Sequence, residues 1–252
     1  MRSLVIDAGN TRVHWRLRLE NGSILEDHGS LDDPLSELVS SLSAEDHVGQ
    51  VAVSCLRSEH RTLIEPVIQN RSSNPILWIE NGAAAQVSVE TEFPQKTGAD
   101  RALAALAWGQ VGAGVPAVII DAGTAVTVDA VSAEGVLLGG WISAGWQSMC
   151  NALGNSAPDL PKNIGKAPIA DGWALDTEGA LGGGLEIFYR EGIAGLHSRV
   201  CNGLVQRYDL SPQTILTGGD ALLLEEVFTD ARLIPGLVLD GLEAALSMET
   251  ER

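Results

Sequence analysis

The stretch Ala117-Val118-Ile119-Ile120-Asp121-Ala122-Gly123-Thr124-Ala125-Val126-Thr127-Val128-Asp129 decides how this chain reads. A shorter copy stands near the start, as Ser3-Leu4-Val5-Ile6-Asp7-Ala8-Gly9-Asn10. In each copy a short apolar run closes in Asp-Ala-Gly and then Asn or Thr. Alternating residues follow: Val13, Trp15, Leu17 and Leu19 against His14, Arg16 and Arg18, and later Val126 and Val128 against Thr127 and Asp129. Alternation with period two is the mark of a half-buried strand, so each turn joins two strands.

The similarity extends outward from the two turns. After the first, Asn21-Gly22 signals a hairpin and Ser23 to His28 returns as a third strand. Leu35, Leu38, Val39 and Leu42 have helical spacing, and Val48 to Cys55 reads as a buried strand. Residues 59–69 read as a helix, 76–79 as a strand and 100–111 as a helix. After the second turn, Gly135 precedes a strand from Val136 to Trp141. Helical patterns and loops fill the middle, with Gly182-Gly183-Gly184 in a helical context. Thr214 to Thr217 then reads as a strand, Asp220 to Val227 as a helix, Arg232 to Ile234 as a strand and Leu237 to Leu246 as a last helix. One order of elements is read twice, which predicts an α/β fold of two related halves, residues 1–115 and 116–252, with both turns facing a cleft between them.

A strand ending in Asp-Ala-Gly suits phosphate chemistry. Glycine lets the backbone approach a phosphate, and Asn10, Thr11 and Thr124 carry side-chain donors. The aspartates repel phosphate, so their natural work is to hold a cation or its water. One such turn alone is more often a plain hairpin; two at equivalent places of a repeat favour the phosphate reading. Other nucleotide signatures are missing: no GxxxxGK[ST] occurs, and no strand feeds a GxGxxG.

The 252 residues are 45% hydrophobic and 19% charged, a globular balance. Asp plus Glu number 33 against 16 Lys plus Arg, a formal charge of -17, which speaks against a nucleic-acid partner. Cys55, Cys150 and Cys201 are widely spaced without CxxC and read as small buried hydrophobes. With no signal peptide and no membrane-length apolar run, the expectation is a cytoplasmic protein.

Five motifs, taken together, resemble a known family. They are Asp7-Ala8-Gly9-Asn10-Thr11, Gly98-Ala99-Asp100-Arg101, Asp121 through Asp129, Gly139-Gly140-Trp141-Ile142 and Leu216-Thr217-Gly218-Gly219-Asp220. Their order and spacing resemble those of type III pantothenate kinases, over nearly the whole chain. That resemblance implies a duplicated actin-like ATPase fold (ribonuclease H-like halves) and transfer of the ATP γ-phosphoryl group to pantothenate, the first step towards coenzyme A. It also implies Mg2+, K+ or NH4+, and a homodimer.

By the same resemblance Asp100 is the general base, at the start of a helix where the alternative role is a plain N-cap. Gly98, Ala99, Arg101, Thr91 and Thr177 lie on the pantothenate side, with Arg101 meeting its carboxylate or holding the local loop. Asp7, Ala8, Gly9, Asn10, Thr11, Arg12, Val13 and His14 surround the ATP phosphates, with Asp7 orienting Mg2+ through water. Asp121 holds the monovalent cation, Thr124 contacts ATP, and Gly218 and Gly219 form the adenosine-side turn.

Three positions depart from the family pattern: Thr91 stands where a tyrosine is usual, Phe93 where an asparagine is, and Ala144 where a proline is. They motivate two alternatives, a non-catalytic nucleotide-binding regulator and a kinase of another small hydroxyl compound. His197 reads as a surface or satisfied histidine, and most of the six tryptophans read as core. With only Lys96, Lys162 and Lys166 as lysines, bound cations and glycine-turn amides would have to neutralise two anionic substrates.

Overall fold

The structure, a computed structural model, describes residues 2–30, 35–41, 47–55, 57–112, 114–157, 159–161, 164–165, 169 and 171–250. Lys162 and Lys166 lie outside them. The chain divides into two compact units. One comprises Met1–Gly114, Val131–Gly139 and Gly236–Arg252; the other comprises Val115–Ala130 and Gly140–Pro235.

The first sheet contains β1 (Ser3–Ala8), β2 (Arg12–Arg18), β3 (Ile24–Ser30), β4 (Gln50–Cys55) and β5 (Leu77–Ile79), in the order β3-β2-β1-β4-β5. β1 is antiparallel to β2 and parallel to β4. The second contains β6 (Ala117–Ala122), β7 (Ala125–Val131), β8 (Leu137–Ala144), β9 (Gln213–Thr217) and β10 (Arg232–Leu233), in the order β10-β9-β6-β7-β8. Read from its other edge, the second order repeats the first strand for strand, and β6 is parallel to β9 as β1 is to β4. The Asp-Ala-Gly motifs therefore close the central strand of each sheet. Central strands are covered on both faces, which is why Leu4-Val5-Ile6 and Val118-Ile119-Ile120 are apolar without alternation and all buried.

The helices are α1 (Ser36–Ser41), α2 (Ser58–Gln69), α3 (Ala99–Val111), α4 (Trp146–Ser156), α5 (Thr177–Tyr208) and α6 (Leu237–Thr250). In the first unit α3 is apolar nearly all round and correspondingly buried, with Ala102, Leu103, Ala105 and Trp108 enclosed. It packs on α6, which also reaches β1, β2 and β4. The outward face of β2 is therefore not wholly solvated. Arg16, on the polar side of the alternation, is only 8% exposed and pairs with Glu26 of β3 and with Asp240 and Glu243 of α6.

One segment differs from its sequence reading. Asp220 to Val227, expected as a helix, contains only a 3-10 turn at Ala221–Leu224, where Ala221 N bonds to Gly218 O and Leu223 N to Asp220 O. Bonds of that i to i−3 kind do not extend into a long helix. The middle region, read as helical patterns and loops, holds α4 and the 32-residue α5, which is capped by the Asp176 side chain on Gly179 N at 2.8 Å and ended by Asp209 in a left-handed conformation. Its Gly182-Gly183-Gly184 lies inside the helix, as expected.

Candidate active site

In the first unit the site forms where β1 ends and α3 begins. Asp7 lies opposite His14 on one side and Ser54 on the other in the strand register. Asp100 is the second residue of α3. Gly98 occupies the N-cap position, so Asp100 is not the plain cap, and its carboxylate Oδ1 accepts from Arg101 N at 2.8 Å. The Asp100 side chain folds back so closely over Gly98 that a Cβ there would collide with it.

The two carboxylates sense each other. Burial, and secondarily the Asp100 charge, push the Asp7 pKa up to about 7, while the Ser54 hydroxyl tempers the rise. That hydroxyl is wholly buried. Two converging carboxylates beside a buried hydroxyl fit a hydrated cation, whose charge would relieve their repulsion.

Around Asp7 the turn is closed by Gly9 N on Arg12 O at 3.0 Å. Asn10, Thr11 and Arg12 are exposed. Ala8 and Val13 bury their side chains in the core, so they can offer a ligand only their main chain. His14 is exposed and stacks on His28 with ring centroids 5.6 Å apart; partial burial, His28 and Arg12 lower its pKa.

On the α3 side the Thr91 and Thr97 hydroxyls are bonded to each other at 2.6 Å, and Thr97 Oγ1 also donates to Phe93 O at 3.2 Å. Phe93 is exposed with the Lys96 ammonium over its ring at 5.0 Å. Ala99 is buried, and Arg101 is half-buried.

The second unit builds the other turn. Gly123 N donates to Ala125 O at 2.9 Å, leaving Thr124 exposed. Gly145 presses on the carbonyls of Gly123 and Thr124, and Ser148 Oγ donates to Thr124 O at 2.7 Å. On the other flank Gly218 sits at φ +90° with no room for a Cβ against Ala122 O and the Asp121 carboxylate, and Asp220 N donates to Ala122 O at 2.8 Å. Gly219 is open. Thr177, the first residue of α5, is carried by a different element and lines a shallow depression with Leu160, Ala174, Leu175 and Ala180.

The fold thus joins Asp7 to Asp100 in one unit and Asp121 to Gly218 in the other. The sequence reading missed two contributors. Ser54 carried a signal, a polar residue closing the apolar run Val51-Ala52-Val53. Thr97 carried little, because its role comes from contacts made by folding; Asp220 stood in the glycine motif without a role of its own.

His197 is satisfied as expected, its Nε2 sitting 2.8 Å from Thr214 Oγ1. Cys55 and Cys150 are buried, whereas Cys201 is only partly so. Trp15 and Trp108 are core residues, but Trp141 and Trp173 are exposed. Among the described residues no helix is long and apolar enough to cross a membrane.

Comparison with known proteins agrees with this architecture. A Baf family protein from Campylobacter jejuni superposes with a TM-score of 0.61 at 19% identity, covering 99% of this chain and 100% of that one. MreB5 of Spiroplasma citri superposes with a TM-score of 0.55 at 11% identity, covering 99% and 97%. The fold is therefore the duplicated actin-like fold. A type III pantothenate kinase from Marinobacter nauticus is 33% identical over 253 residues, 97% of this chain and 98% of the relative. The type III pantothenate kinase family model matches residues 3–199, and the chain belongs to that family.

Proposed function

We propose that the protein transfers the γ-phosphoryl group of ATP to the primary hydroxyl of pantothenate, giving 4'-phosphopantothenate for coenzyme A synthesis, with Asp100 as general base. The observation that carries this reading is the convergence of Asp7 and Asp100, with the Asp7 pKa pushed up to about 7. Phosphoryl transfer needs positioned phosphates, an aligned hydroxyl and a group to take its proton. Asp100, held at the start of α3 by Arg101 N, is the proton acceptor. Arg101 suits the acceptor carboxylate, and Thr91, Gly98, Ala99 and Thr177 complete the acceptor side.

The turn from Ala8 through Gly9 to Val13, with Asn10, Thr11 and Arg12 exposed on it, faces the phosphate oxygens, His14 borders that turn, and Thr124, Gly218 and Gly219 serve the nucleotide. Asp7 would hold Mg2+ through water and Asp121 a K+ or NH4+ ion; bound there, these ions supply the positive charge that developing phosphoryl oxygens require. A carboxylate pair is the donor set Mg2+ uses when water and phosphate complete its shell.

The test is an assay with ATP, Mg2+, K+ and pantothenate, with omission of each cation. Asp100→Asn should lower kcat by about 10²–10⁴-fold while nucleotide binding persists. Full activity in that variant would remove Asp100 from the role.

A second reading, another small hydroxyl acceptor, is favoured by one observation: the Thr91 hydroxyl is tied to Thr97 beside an exposed Phe93. An acceptor panel separates the two. Nucleotide binding without turnover on any acceptor would instead point to a regulatory homologue. A homodimer is supported by the exposure of Trp173, Phe188 and Ile142 on the second unit, and light scattering of the purified protein tests it.

A further inference from the structure

Tyr189, in the middle of α5, is 3% exposed, and its hydroxyl has no hydrogen-bond partner among the described residues. A buried hydroxyl without a partner costs stability that a phenylalanine would not. Burial pushes the phenol's pKa up, and the charge of Asp220 adds to the rise, so the hydroxyl keeps its proton and remains a donor.

Its surroundings tie it to the second Asp-Ala-Gly turn from both flanks. The Tyr189 ring meets Trp146 edge-on, with centroids 5.9 Å apart and planes at 73°. Trp146 opens α4 directly after Gly145, which presses on the Gly123 and Thr124 carbonyls, and Ser148 of the same helix bonds Thr124 O. On the other flank Asp220 sends its N–H to Ala122 O and follows Gly218, which is pressed against Asp121. Tyr189 thus packs directly on the helix that shapes one flank of the turn and senses the charge of Asp220 on the other.

We propose that Tyr189 is a positioning residue for the nucleotide turn, and that in the nucleotide-bound state its hydroxyl donates to the Asp220 carboxylate and fixes Gly218-Gly219-Asp220 against Asp121-Ala122-Gly123-Thr124. The proposal rests on the reading of Gly218-Gly219 as the nucleotide side. Nucleotide selects the bonded arrangement because it binds that arrangement more tightly. Without nucleotide the hydroxyl is unpaired, so its removal carries opposite consequences for the free and the bound protein.

The test uses the whole chain, Tyr189→Phe, and ADP with Mg2+ as the probe. In calorimetry the variant should bind ADP about three- to tenfold more weakly, the range one hydrogen bond gives. Its KM for ATP should rise by a similar factor with a smaller change in kcat and no change in KM for pantothenate. The melting temperature without nucleotide should stay level or rise.

Unchanged ADP affinity overturns the proposal, whether or not the melting temperature falls; a fall with unchanged affinity would mark Tyr189 as a packing residue. A second variant gives an independent check: Tyr189→Phe should weaken ADP binding in wild type but add little on top of Asp220→Ala. Additive losses overturn the coupling. If the wild-type protein itself fails to bind ADP, the nucleotide reading of the turn fails first, and that result is distinct from a Tyr189→Phe variant that matches a competent wild type.

Discussion

At the residue scale Asp7 shows a site working against its own fold. In an unfolded chain its carboxyl titrates at about 3.9; in the folded protein burial and Asp100 push it up to about 7. Between those values the folded state binds the proton more tightly than the unfolded chain, so this group's contribution to stability falls as pH rises, and the loss is complete above about pH 7. Asparagine at this position carries no charge to desolvate. Asp7→Asn should therefore stabilise the metal-free protein at pH 8 by about 1–3 kcal/mol, flatten its stability between pH 5 and 8, and abolish kinase activity. Thermal melts at three pH values, with and without Mg2+, check this. A variant less stable than wild type at pH 8 would contradict it, as would a wild type that Mg2+ leaves unstabilised. Sequence could name Asp7 and Asp100 by motif, but not their mutual repulsion, because 93 positions of chain separate two groups that only packing brings together.

At the element scale the second turn depends on a strand end that no side chain could share. Gly218 has φ +90° and lies against the Ala122 carbonyl and the Asp121 carboxylate. Gly218→Ala combines an unfavourable left-handed backbone with a backbone collision, and should cost about 2–4 kcal/mol and most nucleotide binding. Gly219→Ala meets open space and should cost under about 1 kcal/mol. Denaturant midpoints of the two variants give the comparison; equal losses would refute it.

The pair also shows where sequence reading stopped. Gly218-Gly219 looked uniform as a dipeptide, and only the approach of β9 to the end of β6 makes one glycine obligatory. The expected helix after it shrank to Ala221–Leu224 for a related reason. The amide of Asp220 is bonded to Ala122 O, and the next bonds take the tighter 3-10 pattern. Conversely, α5 runs for 32 residues straight through Gly182-Gly183-Gly184, the helical context read for them, although glycine is a weak helix former.

At the scale of the whole molecule the C-terminal helix completes the N-terminal unit. Arg16 of β2 is enclosed by Glu26 and by Asp240 and Glu243 of α6, while Arg18 reaches Glu243 at 2.8 Å. Removing a buried cation strands these carboxylates; since they keep partial exposure, Arg16→Ala should cost about 2–3 kcal/mol, below the full penalty of a dry pair. A melt shifted by several degrees checks this, and a change under about 0.5 kcal/mol would show that solvent has taken over the pairing.

The sequence by itself determined the repeat, the two central strands, the α/β class and the placing of both Asp-Ala-Gly turns, because strand period and turn chemistry are local properties of a few neighbouring residues. It also determined that a chain of charge -17 has to meet anionic substrates with bound cations and backbone amides if it is to handle phosphate at all. Only the tertiary structure decided that Arg16 is buried, that Asp7 shares its surroundings with Asp100 and Ser54, and that α6 belongs with the first unit. Burial and electrostatic coupling depend on which distant segments pack together, and a pattern of period two or 3.6 carries no record of what will cover its polar face.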